Sequence, residues 1–356
     1  MPKFHSLQVK EVRSETPECV SVAFSLPVDL KEAYRFEAGQ YLTLKTMIKG
    51  EEVRRSYSIC SSPGEDDLRV AIKKVEGGLF STFANERLKA GDTLDVMTPM
   101  GNFHIPLHGD KPGHYVAFAA GSGITPVISI LKTVMEVEPQ SEFTLFYGNR
   151  SLESIIFREE IEALKNVHMG RLSVHYIMSG EFPGSELFYG RINEEKCKTF
   201  CSKLLDIDSV DDFFICGPYS MIEDVKAALK EMGVSKDKIH FELFTTAGMI
   251  NKQPWKKELN GKSFAVEVSI RLDGFTFDFP MQSNSMPILD AALKAGADLP
   301  FACKGGVCCT CRAKLVEGEV EMEVNYALEE EEVKAGYILT CQSIPKTNKI
   351  KVDFDG

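Results

Sequence analysis

The stretch CKGGVCCTC, Cys303 to Cys311, sets four cysteines within nine residues, and the fold of the whole chain follows from what those thiols hold. Cys303 and Cys308 are separated by four residues, Cys308 and Cys311 by two, and Cys341 follows alone in GYILTCQS. A C-x4-C-x2-C loop with one distant cysteine is the spacing that wraps a [2Fe–2S] cluster, in which each of two irons takes two thiolates. Gly305 and Gly306 suit a loop that needs positive φ and backbone N–H groups aimed at sulfur. Zinc favours paired C-x2-C knuckles, and only one such pair is present. Cys309 interrupts the spacer between two ligands and is expected to be a small non-ligand side chain.

At 356 residues the chain exceeds one ordinary domain, and its 44% hydrophobic and 26% charged residues are those of a soluble globular protein. A net charge of −11 argues against nucleic acid and against an anionic membrane surface. The N-terminal MPKFHSLQVKEVRSE alternates like a first strand and shows no secretory pattern. The longest uncharged run, Tyr115 to Leu131, is broken by Gly121, Ser122, Gly123, Thr125 and Pro126, and so predicts a strand, a loop and a helix rather than a membrane span. A cytoplasmic location is expected. Thiols stay reduced there, which again favours a metal centre over disulfides.

Working outward, residues 262–356 open with a hairpin turning at Asp273-Gly274, then a short helix in SMPILDAALKAG, then the cysteine loop and further strands. The polar NKQPWKKELNG, interrupted by Pro254, marks a linker near 247–261. Within 111–246, the strands HYVAFAA, EFTLFYG, LSVHYIM and DFFICG alternate with helices near 125–137, 156–166, 193–204 and 219–232, which indicates a parallel sheet covered by helices. Residues 1–110 read as short strands between turn signals such as VEGGL, KAGD and PMGN, with a helix near Ser81 to Leu88, hence an antiparallel barrel. The expected fold class is therefore multidomain: a β-barrel, an α/β parallel-sheet domain and a C-terminal α+β domain.

A [2Fe–2S] cluster moves one electron at a time, whereas nicotinamide moves two as hydride. Flavin is the usual adaptor, so the first two domains are expected to hold flavin and nicotinamide. Four short motifs bear on this. RRSYSICSSP contains Arg55, Tyr57 and Ser58 in an R-x-Y-S pattern, and GGLFS carries Gly78 and Ser81 where a glycine turn opens a helix whose N–H groups can face phosphate. GSGITP follows a strand and precedes a helix. Its Gly121 and Gly123 allow close approach to a dinucleotide, Thr125 can cap, and Pro126 suits a first helical turn. It is not the full G-x-G-x-x-G fingerprint. Cys216, Gly217 and Pro218 in CGPYSM stand where a strand ends and a helix begins, although a buried core thiol is the commoner role for such a cysteine.

Residues 262–356 resemble a plant-type ferredoxin domain, which implies a β-grasp fold. Residues 1–245 resemble the ferredoxin–NADP+ reductase superfamily. That resemblance implies FAD, with Tyr57 stacked on the flavin, Ser58 near its N5 and Arg55 paired with the pyrophosphate. It places Cys216 beside the nicotinamide C4, so that Ser58 and Cys216 are the catalytic candidates. It lets Glu242 and Phe244 of HFELFTT close over the flavin, where a core aromatic is the plain alternative. Arg150 in YGNR could meet a 2′-phosphate with help from Arg158 or Ser179, or be a surface arginine. Ala38 before Gly39-Gln40 departs from the superfamily pattern, where proline is common.

The domain order is that of oxygenase reductases. FHSLQVKEVRSET, EAYRFEAGQYLTL, GNRSLESIIFREE and ADLPFACKGGVCCTC together resemble the reductase subunits of phenylacetyl-CoA epoxidase complexes. This implies electron flow from NADPH, with NADH as the alternative, through FAD and [2Fe–2S] to a separate di-iron oxygenase. Service to another oxygenase or a hybrid-cluster protein, and a flavin/iron–sulfur redox sensor, stay open. The acidic VEGEVEMEVNYALEEEEVKAG, residues 316–336, is either a docking surface for a basic partner or a solvated charge run.

Overall fold

The computed structural model describes residues 3–107, 109, 112–244 and 264–356; the linker expected at 247–261 lies outside them. The chain divides into two compact units: the larger covers residues 4–53 and 57–244, and the smaller covers the C-terminal region together with Lys3 and Arg54–Ser56.

The larger unit begins with β1 (Phe4–Thr16), β2 (Cys19–Ser25), β3 (Tyr41–Ile48), β4 (Glu51–Ser58), β5 (Leu68–Lys73) and β6 (Thr93–Met97), in the order β4-β3-β6-β1-β2-β5. Ile59, just past β4, bridges to Val70 of β5, and the Cys60 N–H donates to the Arg69 carbonyl at 2.9 Å, which closes the sheet into a barrel. Alternate residues such as Leu7, Val9, Leu42, Leu44, Val70 and Val96 fill it, as a period of two requires. Helix α1 (Leu79–Glu86) starts two residues earlier than its composition suggests, because Gly78 caps it.

The second half of this unit is a parallel sheet of β7 (His114–Ala120), β8 (Glu142–Asn149), β9 (Leu172–Met178), β10 (Asp212–Gly217) and β11 (Ile239–Leu243), in the order β11-β10-β7-β8-β9. Helices α2 (Ile124–Val137), α3 (Arg158–Val167), α4 (Glu194–Leu204) and α5 (Tyr219–Glu231) connect the strands. The chain enters at β7, builds outward to β9, then returns to β10 on the other side. That reversal opens a crevice at the C-terminal ends of β7 and β10, where α/β sheets bind ligands.

Helix α2 also faces the barrel. Ser129 Oγ donates to the Ser61 carbonyl at 2.6 Å, and the buried Lys132 ammonium meets the Cys60 carbonyl at 3.2 Å and Glu65 at 2.9 Å, with Glu160 as a further partner. Phe103 and Phe214 pack edge to face, with centroids 5.8 Å apart. Barrel residues Cys19, Ala38, Cys60, Ala71 and Phe103 therefore pack into the core of the parallel sheet, while the barrel interior forms a cluster of its own. Gly39, at φ +100°, allows it: a Cβ there would lie 1.9 Å from the Phe103 carbonyl oxygen.

In the smaller unit, β12 (Val266–Leu272), β13 (Phe275–Met281), β14 (Arg312–Glu317), β16 (Tyr337–Leu339) and β18 (Lys349–Asp353) form a mixed sheet in the order β13-β12-β18-β14-β16; β15 (Val320–Met322) pairs with β17 (Ser343–Pro345). Asp273 and Gly274 both have positive φ, +53° and +77°, as a two-residue type I′ hairpin demands. Helix α6 (Ile288–Lys294) buries Ile288, Leu289 and Ala292, and α7 (Glu330–Lys334) sits beside β16. The parallel β12–β18 pair flanked by antiparallel partners, with α6 buried in the same core, is a β-grasp arrangement. Among the described residues no helix is long and apolar enough to cross a membrane.

Candidate active site and metal centre

Gly121 to Gly123 form one 3-10 turn at the mouth of the crevice. A Cβ on Gly123 would stand 2.0 Å from the Cys216 carbonyl oxygen, and one on Gly217 would stand 3.2 Å from the Ala120 Cβ, so the ends of β7 and β10 meet through glycine. The Tyr147 hydroxyl donates to the Gly121 carbonyl at 2.9 Å and fixes the turn. Thr125 does not cap α2 as expected. It is buried, and its hydroxyl donates back to the Ser122 carbonyl at 3.0 Å, because the 3-10 turn runs straight into the helix and Gly123 takes the N-cap position. Pro218 opens α5 with extended backbone.

The barrel delivers the other wall. Tyr57, near the end of β4, packs on Phe80 of α1 with ring centroids 5.6 Å apart, which sets it beside the G-x-x-S turn. Ser81 Oγ accepts the Val75 N–H at 3.1 Å, and a Cβ on Gly78 would lie 2.5 Å from that oxygen, which reserves the position for glycine. Arg55 is exposed, and its guanidinium donates to the Arg54 carbonyl at 2.7 Å. Ser58 Oγ donates to a Glu242 carboxyl oxygen at 3.0 Å, and Glu242 on β11 is the register partner of Cys216 on β10. Burial pushes the Glu242 carboxyl up to about 8, against the opposing hydrogen bond from Ser58. Burial, with Glu242 beside it, also drives the Cys216 thiol well above its usual range. Burial thus favours the neutral form of both groups, which makes Cys216 a poor nucleophile. Phe244 is half-buried against the core of the parallel sheet.

Arg150 and Ser179 are brought together at the ends of β8 and β9. The Ser179 N–H and hydroxyl donate to the Asn149 carbonyl at 2.9 and 3.2 Å, and a Cβ on Gly180 would lie 2.7 Å from the Arg150 carbonyl oxygen. Arg158 is exposed at the start of α3. Lys73, which no motif singles out, ends β5 with its ammonium 3.8 Å from where a Gly121 Cβ would be, a cation at the crevice mouth. Its only sequence signal is its place at the end of an alternating run.

In the smaller unit the cysteine loop brings its thiols together as two pairs. The Cys308 thiol donates to Cys303 Sγ at 3.1 Å, and the Cys311 thiol is driven well above its usual range by the Cys341 thiol beside it and by burial. Among the described residues no three His, Cys, Asp or Glu side chains gather to hold a single ion. Two thiols for each of two irons is the donor set of a [2Fe–2S] cluster, and the residues fit it. The Cys303 thiol is held below the usual range, first by the Cys308 thiol and then by backbone N–H groups of residues 305, 307 and 308. Thr340 donates twice to the Cys311 carbonyl, at 3.1 Å from its N–H and 3.0 Å from its hydroxyl, which carries Cys341 to the loop.

Fold and site together define a nicotinamide- and flavin-dependent reductase joined to a ferredoxin domain. Family models agree: an oxidoreductase FAD-binding domain matches residues 6–105, an oxidoreductase NAD-binding domain 118–227, and a 2Fe-2S iron-sulfur cluster binding domain 270–346. The chain is 45% identical to the E component of 1,2-phenylacetyl-CoA epoxidase from Escherichia coli (strain K12), over 100% of this chain and 99% of that one. It is 32% identical to the ferredoxin reductase component of 3-ketosteroid-9-alpha-monooxygenase from Rhodococcus rhodochrous, over 98% and 96%. The solved structure of phthalate dioxygenase reductase shares the fold, with a TM-score of 0.56 at 22% identity over 99% of this chain and 98% of that one. The chain belongs to the family of oxygenase reductases that includes the E component of 1,2-phenylacetyl-CoA epoxidase. It is an oxidoreductase whose FAD and [2Fe–2S] cluster carry electrons from NAD(P)H to an oxygenase component.

Proposed function

We propose that this chain is the cytoplasmic reductase of a phenylacetyl-CoA epoxidase in phenylacetate degradation, that NADPH is its reductant and that its acceptor is a separate di-iron oxygenase. The observation that carries this is the 45% identity to the epoxidase E component along the whole of both chains. A second reading, service to another monooxygenase, is favoured by the 32% and 30% identities to reductases named for ketosteroid and glycine betaine monooxygenases. Coupled turnover separates them. With purified phenylacetyl-CoA oxygenase components, NADPH consumption should match epoxide formed; NADPH oxidation without epoxide would reject the assignment.

FAD held here would supply an adaptor between hydride transfer from NAD(P)H and one-electron transfer. The chain supplies positioning. Gly121, Gly123, Gly217 and Pro218 shape the nicotinamide slot, Tyr57 offers a ring to the flavin, and Arg55, Gly78 and Ser81 serve its phosphates. Cys216 and Glu242 present neutral, protonated faces, and Ser58 orients Glu242. Phe244 excludes water. Cys303, Cys308, Cys311 and Cys341 hold the cluster.

Arg150 serves the 2′-phosphate, since its fork can donate two hydrogen bonds, with Ser179 beside it. Losing such a contact costs about 1.5–3 kcal/mol, or roughly ten- to a hundredfold in affinity. Arg150→Ala should raise KM for NADPH by that factor and leave NADH nearly unchanged in steady-state kinetics. An equal loss for both would assign Arg150 to the fold.

Glu242 should leave a mark on stability. Its folded value of about 8 lies above the ordinary 4.5, so its contribution is full below pH 4.5 and is lost as pH rises through about 8. The melting temperature of the wild type should therefore fall relative to Glu242→Gln across that window and run parallel above it. Parallel curves throughout would show that the carboxyl is already ionised.

A further inference from the structure

The acidic segment runs back across the cysteine loop. The Tyr326 N–H donates to the Gly306 carbonyl at 2.9 Å, and the Glu323 N–H donates to the carbonyl of Gln342, next to Cys341, at 3.0 Å. Gly306, at φ +73°, is approached so closely that a Cβ would lie 2.8 Å from the Val324 carbonyl oxygen. Asn325 closes the turn, accepting the Leu328 N–H at 2.9 Å and donating to the Leu328 carbonyl at 3.1 Å, while Leu328 is buried in the core. From within the cysteine loop, Cys309 supplies a side-chain tie: its thiol donates to the Ala327 carbonyl at 3.3 Å.

We propose that Cys309 is a positioning residue whose thiol fastens residues 323–328 over the cluster loop and so sets how much water and negative charge the cluster meets. This rests on Cys303, Cys308, Cys311 and Cys341 being the ligands. The tied segment itself brings one carboxylate, Glu323, to the loop; of the flanking glutamates, Glu317, Glu321, Glu330 and Glu332 are ion-paired with lysine or arginine. Reduction adds a negative charge to the cluster; nearby carboxylates oppose it and water favours it. Loosening the segment withdraws the first and admits the second, and both effects raise the reduction potential. Alanine at position 309 cannot donate the hydrogen bond, whereas serine can.

The test is a redox titration of the cluster in the purified full-length holoprotein, read by its electron paramagnetic resonance signal. Cys309→Ala should keep the visible cluster absorption and shift the midpoint upward. Cys309→Ser should restore it, and Asn325→Ala, which opens the same turn without touching a thiol, should shift it in the same direction. Iron loss to a chelator should be about tenfold faster in Cys309→Ala and Asn325→Ala, the scale on which outer-shell partners act. An unchanged midpoint in Cys309→Ala, or an equal shift in Cys309→Ser, overturns the proposal. Loss of the cluster absorption in Cys309→Ala would instead make Cys309 a ligand, and would overturn the ligand assignment with it.

Discussion

Replacing Cys308 by alanine should abolish the visible iron–sulfur absorption and leave NADPH-to-ferricyanide activity in place. Cys308 is buried, and its sulfur lies 3.1 Å from that of Cys303, so its loss would remove one of the four thiolates that would hold the cluster. Outer partners of metal ligands already cost about 10–100-fold in affinity, and a ligand itself should cost more. The larger unit has its own cores. Ferricyanide can accept from flavin directly and should still be reduced near the wild-type rate. Transfer to the oxygenase should fall by about two orders of magnitude or more, because the flavin then has no one-electron relay. Retention of the absorption would show that Cys309 substitutes for Cys308. Unchanged oxygenase coupling without the cluster would place the exit at the flavin.

The second large effect is expected at Gly123. A methyl group there would fall 2.0 Å from the Cys216 carbonyl oxygen, 2.5 Å from its carbon and 2.9 Å from the Gly217 nitrogen. All three are backbone atoms, so no side chain can rotate away, and the end of β10 must move by an ångström or more to reach ordinary contact. Cys216 would move with it, and Glu242 is paired to Cys216. Misplacement by about 1 Å can cost roughly a hundredfold in rate where catalysis depends on orientation, and overpacking of this kind costs about 1–3 kcal/mol in stability. Gly123→Ala should therefore lose about a hundredfold in NADPH-to-ferricyanide turnover. Cluster absorption and its reduction by dithionite should stay as in the wild type, since neither uses the nicotinamide slot. Near-normal ferricyanide turnover would mean that the nicotinamide does not lie where β7 and β10 converge.

What is legible in the sequence is local. HYVAFAA, EFTLFYG and DFFICG are buried on both sides, so their apolar runs coincide with β7, β8 and β10. The turn at Asp273-Gly274 and the spacing of the cysteines are likewise fixed by neighbours in the chain. β11 does not announce itself as a strand of the parallel sheet, because IHFEL is an edge strand, half-buried and mixed in polarity. Nor does the Ser58–Glu242 hydrogen bond: 184 residues separate its ends, and nothing near either residue records the other. Lys73 and the fold-back of residues 323–328 over the cysteine loop are hidden for the same reason. Thr125 shows the limit of a capping rule, since the residue type is right for a cap and the continuous 3-10 turn leaves no cap to make.

Rapid anaerobic mixing of the holoprotein with one equivalent of NADPH, with flavin and cluster absorption followed separately, tests the order of carriers most directly. The flavin band should bleach first and the cluster band should follow within the same protein, then recover when oxidised oxygenase is added. Bleaching of the cluster before the flavin, or in protein stripped of flavin, would contradict the route.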